Sequence, residues 1–398
     1  MITGSSTFAP GGRDGGGHGV ANFVLTPDQR SMQDSVRRLL ERECPIALVQ
    51  HLTGPEGEGH SDRLWSRLAE DGWVGMSFPP EAGGSGASLF DLGLVYEQAG
   101  RALVPTTLYS TIYAALMVQG LGSPDQKAAL LGAIASGELI GTVAISELQA
   151  IHEHRHFTTH AERTRRGWNL SGQKAFVQNA DIADFMIVVA RVGDTHTDGI
   201  AAFVVPPDTR GVSWEKHSTF GGDRQSVVTF DDVTLREDGL LGGSPWDGDA
   251  WASIEAIADR ATALQCMEMV GGAQHVLEMT LSHVSGRTQF GRTLASFQAV
   301  QHHLANMAIM IEGSRTSAMD ALSILDRGTS AKRQVSIAKS WGSSAYVSVT
   351  LTAHQLHGGM GYTLDSPLHL WSRRAKTTQV SFGGPDDHLD RLASLMGL

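Results

Sequence analysis

The sequence predicts an α+β fold in three parts: an N-terminal all-α domain, a middle β-barrel-like domain and a C-terminal four-helix bundle. Three observations predict it. Apolar residues recur at helical spacing from Thr26 to about Gly137, fall into short β-rich runs from Leu139, and return to helical spacing from about Asp249. No strand–helix–strand alternation appears and no Gly-x-Gly-x-x-Gly follows a strand, which disfavours a Rossmann fold. At 398 residues the chain is too long for one compact core. The boundaries expected are a tail over 1–24, a helical domain over 25–138, a β-domain over 139–246 and a helical bundle over 247–398.

The tail contains Gly11-Gly12-Arg13-Asp14-Gly15-Gly16-Gly17 and no apolar core, so it reads as a floppy extension and not as a signal peptide. Thr26-Pro27-Asp28-Gln29 is a helix start: an N-cap, a proline at the first helical position and a capping-box Gln. Ser123-Pro124-Asp125-Gln126 repeats it. Between them Leu64, Trp65 and Leu68 mark a helix ended by Gly72, and Leu89 to Ala99 mark another behind the cap Ser88. Strands are expected over Leu139–Ser146, Trp168–Gln178, Asp184–Arg191, Gly199–Val205 and Ser226–Val233, mostly antiparallel, with a hairpin around Gly172. The C-terminal helices are long, and their clearest breaks are Ser285–Arg292 and His357–Gly361; long helices with short connections favour a four-helix bundle.

Composition narrows the function. Apolar residues make up 41% and charged residues 18%, which is ordinary for a globular chain. The net charge of −11 argues against nucleic-acid binding, which needs clustered Lys and Arg. The two cysteines, Cys44 and Cys266, make neither a disulfide framework nor a metal-ligand spacing, so a cytoplasmic location is expected. No run of eighteen apolar residues exists to span a membrane. His152, His154, His156 and His160 alternate, but histidines on a loop or short strand are usually solvated, and no metal site is expected.

Three stretches carry chemistry. Arg287-Thr288-Gln289-Phe290-Gly291-Arg292 puts two arginines on a tight interhelical turn, able to clamp a diphosphate or equally to be a solvated turn. Gln355-Leu356-His357-Gly358-Gly359-Met360-Gly361 allows close backbone approach, though alone it reads as a helix C-cap. Gly72 to Gly86 is a Gly/Pro loop, weak by itself. Together, in this order, these stretches resemble the acyl-CoA dehydrogenase family, and the resemblance covers about residues 25–395.

The resemblance implies FAD at a subunit interface in at least a dimer or tetramer, homo- or hetero-oligomeric, and an acyl thioester substrate bound to CoA or to a carrier protein. It assigns Arg287, Gln289 and Phe290 to the diphosphate and adenosine end of FAD. Gln355, Gly358 and Gly359 would reach the FAD of a neighbouring chain. Ser146, Phe176 and Gln178 fall at the flavin ring, where Gln178 replaces the family's threonine. The resemblance further implies α,β-desaturation, with flavin as oxidant and a glutamate as base. That glutamate is missing. Its usual position holds Phe382, or Gly383 if the glycines are aligned, and the alternative position on the first bundle helix holds Ala261. Asp259 sits two residues early, about 200° round a helix, with Glu255 one turn before it. Three functions follow: a dehydrogenase with a relocated base such as Asp259, a base-free subunit that needs a Glu-bearing partner, or a repurposed flavoprotein.

Overall fold

A computed structural model describes residues 23–54, 57–148, 156–193, 199–243 and 248–398. The Gly-rich tail and the histidines at 152 and 154 lie outside the described residues. The N-terminal part holds α1 (Pro27–Glu43), α2 (Ile46–Leu52), α3 (Asp62–Glu70), α4 (Leu89–Ala102), α5 (Thr107–Leu121) and α6 (Pro124–Ala135). The capping boxes read from sequence are formed at Thr26 and Ser123, and a third is formed at Ser88, where Asp91 is the reciprocal partner.

The middle part is one curled seven-stranded sheet: β1 (Gly141–Ala144), β2 (His160–Thr164), β3 (Gly167–Gln178), β4 (Phe185–Val192), β5 (Ile200–Val205), β6 (Val212–His217) and β7 (Gln225–Leu235). β1 and β2 both pair with β4 in parallel, and the other pairings are antiparallel. β4 is covered on both faces. Phe185, Ile187 and Val189 point to the helices, while Met186, Val188 and Ala190 point into the sheet's own core. That is why it reads as one unbroken apolar run.

Two expectations need correction. The hairpin turn lies between β2 and β3, where Thr164 pairs with Gly167. Gly172 is mid-strand instead, at φ +137°, where a Cβ would meet the Cα of Thr159 at 2.5 Å. Strands β2 and β6 were not expected. β2 buries only Ala161, and β6 is an edge strand with five exposed residues, so neither carries an apolar alternation.

The C-terminal part is the bundle: α7 (Trp251–Gly286), α8 (Gln298–Asp326), α9 (Lys332–His357) and α10 (Leu368–Val380), with α11 (Pro385–Met396) packed on α9. A short hairpin of β8 (Thr288–Gln289) and β9 (Arg292–Thr293) joins α7 to α8. α4 lies against α7, and glycines make the approach close. A Cβ on Gly271 would meet Glu97 O at 1.7 Å, and one on Gly100 would meet Glu268 O at 2.0 Å. Among the described residues no helix is long and apolar enough to cross a membrane.

Candidate active site

The end of β3 and four helices line a cleft of about 490 Å³, counted to its open mouth, with Tyr96 contributed by α4. α5 contributes Tyr109, Ser110 and Tyr113; α7 contributes Ala261, Gln265 and Glu268; α10 contributes Arg374, Thr377 and Thr378. Gln178 comes from the end of β3, and Phe382 from the turn after α10. Both positions where a base was sought, Phe382 and Ala261, therefore open on the same cleft. Neither can take a proton.

Phe382 is held in place. It adopts φ +57°, and its ring meets Tyr113 edge-on at 5.3 Å. Its carbonyl accepts a hydrogen bond from His388 Nε2 at 2.9 Å. Burial pushes His388 down to about 4, so this imidazole is neutral and donates from Nε2.

Asp259 is not on the cleft wall. Its carboxylate is gripped bidentately by Arg391 of α11, at 2.7 and 3.0 Å, and Glu255 accepts from the same guanidinium at 3.2 Å. Burial pushes the Asp259 carboxyl up, against the pull of Arg391. The geometry is that of a tie between α7 and α11.

Glu268 is the carboxylate that faces the cleft, and sequence reading missed it. Its Oε1 accepts from Arg374 Nε at 2.6 Å. Arg374 also donates to Val104 O at 2.9 Å and lies over the Tyr109 ring, 5.0 Å from its centroid. Burial raises the Glu268 carboxyl, with Arg374 opposing. Burial also works against the charge of Arg374, but Glu268 outweighs it and holds the guanidinium above its usual range. One signal was available. Glu268 interrupts the run Cys266-Met267-Glu268-Met269-Val270, and a carboxylate inside an apolar run needs a buried cation.

The residues assigned to the flavin ring gather at β1 and β3. Ser146 O accepts from Ala175 N at 2.8 Å, and the β3–β7 register shifts between Lys174 and Val177. That bulge sets Phe176 at φ +57° with half its surface exposed. Gln178 is half-buried at the cleft. Beneath them Lys174 and Glu147 form a buried ion pair at 2.8 Å, and Glu147 also accepts from the Thr158 and Thr159 amides at 2.7 and 3.1 Å. Burial alone would raise Glu147, yet Lys174 and the amides hold it near 2; burial lowers Lys174 to about 8.

The residues assigned to the adenosine end lie at one end of the bundle. Arg287 caps α7, Gln289 is on β8, and Phe290 sits at φ +52° with 92% of its surface exposed. Gln355 is exposed near the end of α9, and Gly358 follows at φ +62° and ψ −147°, a conformation open essentially to glycine alone. A Cβ at Gly358 or Gly359 would meet nothing within 4 Å, so the space above both is open. The stacked rings of His283 and His357, 4.2 Å apart, join the ends of α7 and α9. Gly383 adjoins His388 at φ +96°. His160 is exposed on β2, and among the described residues no cluster of three metal-ligating side chains exists.

Family models for the acyl-CoA dehydrogenase N-terminal, middle and C-terminal domains match residues 26–138, 142–233 and 249–395. The 3-sulfinopropanoyl-CoA desulfinase of Paraburkholderia xenovorans (strain LB400) is 32% identical over 375 residues, covering 91% of this chain and 94% of that protein. The chain belongs to the acyl-CoA dehydrogenase family. An acyl-CoA dehydrogenase of Bacillus subtilis (strain 168) is 27% identical, covering 90% of this chain and 95% of that protein. Among solved structures, a variant of the Tcur3481-Tcur3483 steroid acyl-CoA dehydrogenase is 30% identical with a TM-score of 0.83, over 93% of this chain and 98% of that one. Butyryl-CoA dehydrogenase from Megasphaera elsdenii is 25% identical with a TM-score of 0.87, over 95% of this chain and 100% of that one.

Proposed function

We propose that this acyl-CoA dehydrogenase family chain is an FAD-binding, acyl-thioester-binding subunit that lacks its own base and works beside a Glu-bearing partner. The carrying observation is that Phe382 and Ala261 both face the cleft where a carboxylate would be needed. FAD, when bound, supplies the oxidising power for desaturation. The residues present suit that cofactor. Two exposed phenylalanines in left-handed backbone, Phe176 and Phe290, offer flat faces; Arg287 offers a cation for the diphosphate; Gly358 and Gly359 leave open backbone. The two-chain name of the steroid acyl-CoA dehydrogenase supports a hetero-oligomer.

A second reading is favoured by Glu268, the carboxylate on the cleft wall. There it takes the α-proton itself, and no partner is needed. The test uses the FAD-loaded chain alone, mixed with acyl-CoAs under anaerobic conditions, with flavin absorbance followed by stopped flow. The subunit reading expects no bleaching, and expects Phe382→Glu to introduce it. Bleaching by the unaltered chain, lost on Glu268→Gln by about 10²–10⁴-fold, would overturn the subunit reading in favour of the second.

A further inference from the structure

The cleft has two chemically different ends. Ala261, Gln265 and Glu268 fall on one face of α7, and seven residues at a 1.5 Å rise separate the first from the last by about 10 Å. The other walls run the same way. On α5 Tyr113 meets Phe382, whereas Tyr109 meets Arg374; Arg374 lies within α10, and Phe382 follows its C-terminal end. One end is thus Phe382, Tyr113 and Ala261. The other is Glu268, Arg374, Tyr109 and Gln265.

The second end contains unused hydrogen-bonding capacity. The Tyr109 hydroxyl is buried beside the Arg374 guanidinium, and its own proton has no acceptor. Gln265 is nine-tenths buried, and its Oε1 has no partner. Unpaired polar atoms facing a cleft are costly, and a ligand that pairs them recovers that cost. The two atoms also specify the ligand. A Gln amide offers an acceptor oxygen or, turned over, a donor nitrogen, and a Tyr hydroxyl both donates and accepts, so a group that can do both pairs with them in either arrangement. Glu268 and Arg374 already neutralise each other, so no spare charge is left to hold an anion.

We propose that this end of the cleft binds a neutral hydroxyl group on the acyl chain, at Gln265 and Tyr109, each one helical turn or about 6 Å from Ala261 and Tyr113, so that the substrate is an oxygenated acyl thioester and not a plain alkyl one. The hydroxyl donates to Gln265 Oε1 and accepts from the Tyr109 hydroxyl. A carboxylate would bring a charge that Arg374, already paired with Glu268, does not match, and a plain methyl end leaves both atoms unpaired. The proposal rests on the cleft being the acyl site.

The test is calorimetric titration of the FAD-loaded chain with hexanoyl-CoA, 6-hydroxyhexanoyl-CoA and adipoyl-CoA, whose extended six-carbon chains match the span. The expected result is about tenfold tighter binding of the hydroxylated thioester than of hexanoyl-CoA. Tyr109→Phe, which removes a single oxygen, and Gln265→Leu should each bring that ratio towards one. Equal or tighter binding of hexanoyl-CoA would overturn the polar end while leaving the acyl site standing. Tightest binding of adipoyl-CoA would make this end an anion site and overturn the hydroxyl assignment. Failure of all three to bind would overturn the acyl-site reading itself, and the proposal with it.

Discussion

At the scale of single residues, the base positions were legible and their surroundings were not. Counting along the chain places Phe382 and Ala261 in the two slots, and both do open on one cleft. Counting could not reveal that Glu268 and Arg374, 106 positions apart, close a buried ion pair in that cleft, because such pairing leaves no local pattern. Asp259 illustrates the converse. Its place beside Arg260 suggests a displaced base, but α7 turns it towards α11, where Arg391 takes both oxygens. Asp259→Asn should therefore act on stability first. Arg391 keeps Glu255 and is a quarter exposed, so the loss is that of a charge-assisted hydrogen bond, about 1–2 kcal/mol, and the urea midpoint should fall below that of the parent while FAD retention at low urea stays unchanged. An unchanged midpoint with lost flavin chemistry would return Asp259 to the catalytic candidates.

At the scale of elements, the long helices were readable because caps and 3.6-residue periodicity are local signals. Thr26, Ser88 and Ser123 all cap as expected. β6 was unreadable because an edge strand facing solvent needs no apolar alternation, and β2 because, though paired on both sides, it buries only Ala161; Gly172 reads as a turn because a bulge and a turn both select glycine. The α4–α7 crossing depends on glycines that no alternation marks. Gly271→Ala sets a methyl against the Glu97 carbonyl, and a loss of about 3 kcal/mol or more is expected in chemical denaturation, since backbone cannot move aside as a side chain can. Acid should loosen α7 and α11 through their histidines. Burial lowers His388 and His275 to about 4 from the ordinary value of 6.5. Between those limits the unfolded chain binds the protons and the folded chain does not, so stability is complete above about 6.5 and falls as pH drops towards 4. His388→Gln keeps a donor for the Phe382 carbonyl and removes one titration. Its melting temperature should fall less steeply than the parent's between about pH 7 and 4.5; an identical slope would show that His388 does not contribute.

At the scale of the whole molecule, the helix–sheet–helix order follows from periodicity alone, whereas the assembly is written in surfaces that a single chain leaves uncovered. Phe290, Tyr362 and Leu364 are 92, 73 and 82% exposed, which is unusual for large apolar side chains of one end of a bundle. Phe290 also bears a left-handed backbone, a strain that a bound partner can repay. If the cofactor's adenosine end is shared, with Arg287 and Phe290 from one chain and Gln355, Gly358 and Gly359 from its neighbour, then FAD and subunit contacts stabilise each other by linkage. Dilution of the yellow protein should accordingly release FAD over the same concentration range in which light scattering shows the assembly falling apart. Added FAD should shift that range to lower protein concentration. Arg287→Ala should weaken FAD retention by about 1–3 kcal/mol, the scale of a lost charge-assisted hydrogen bond, and should shift assembly only as far as the lost FAD allows. A monomer that keeps its full complement of FAD on dilution would refute the shared site. The glycine turn at Gly358 would then need another reason for holding φ +62° with open space above it.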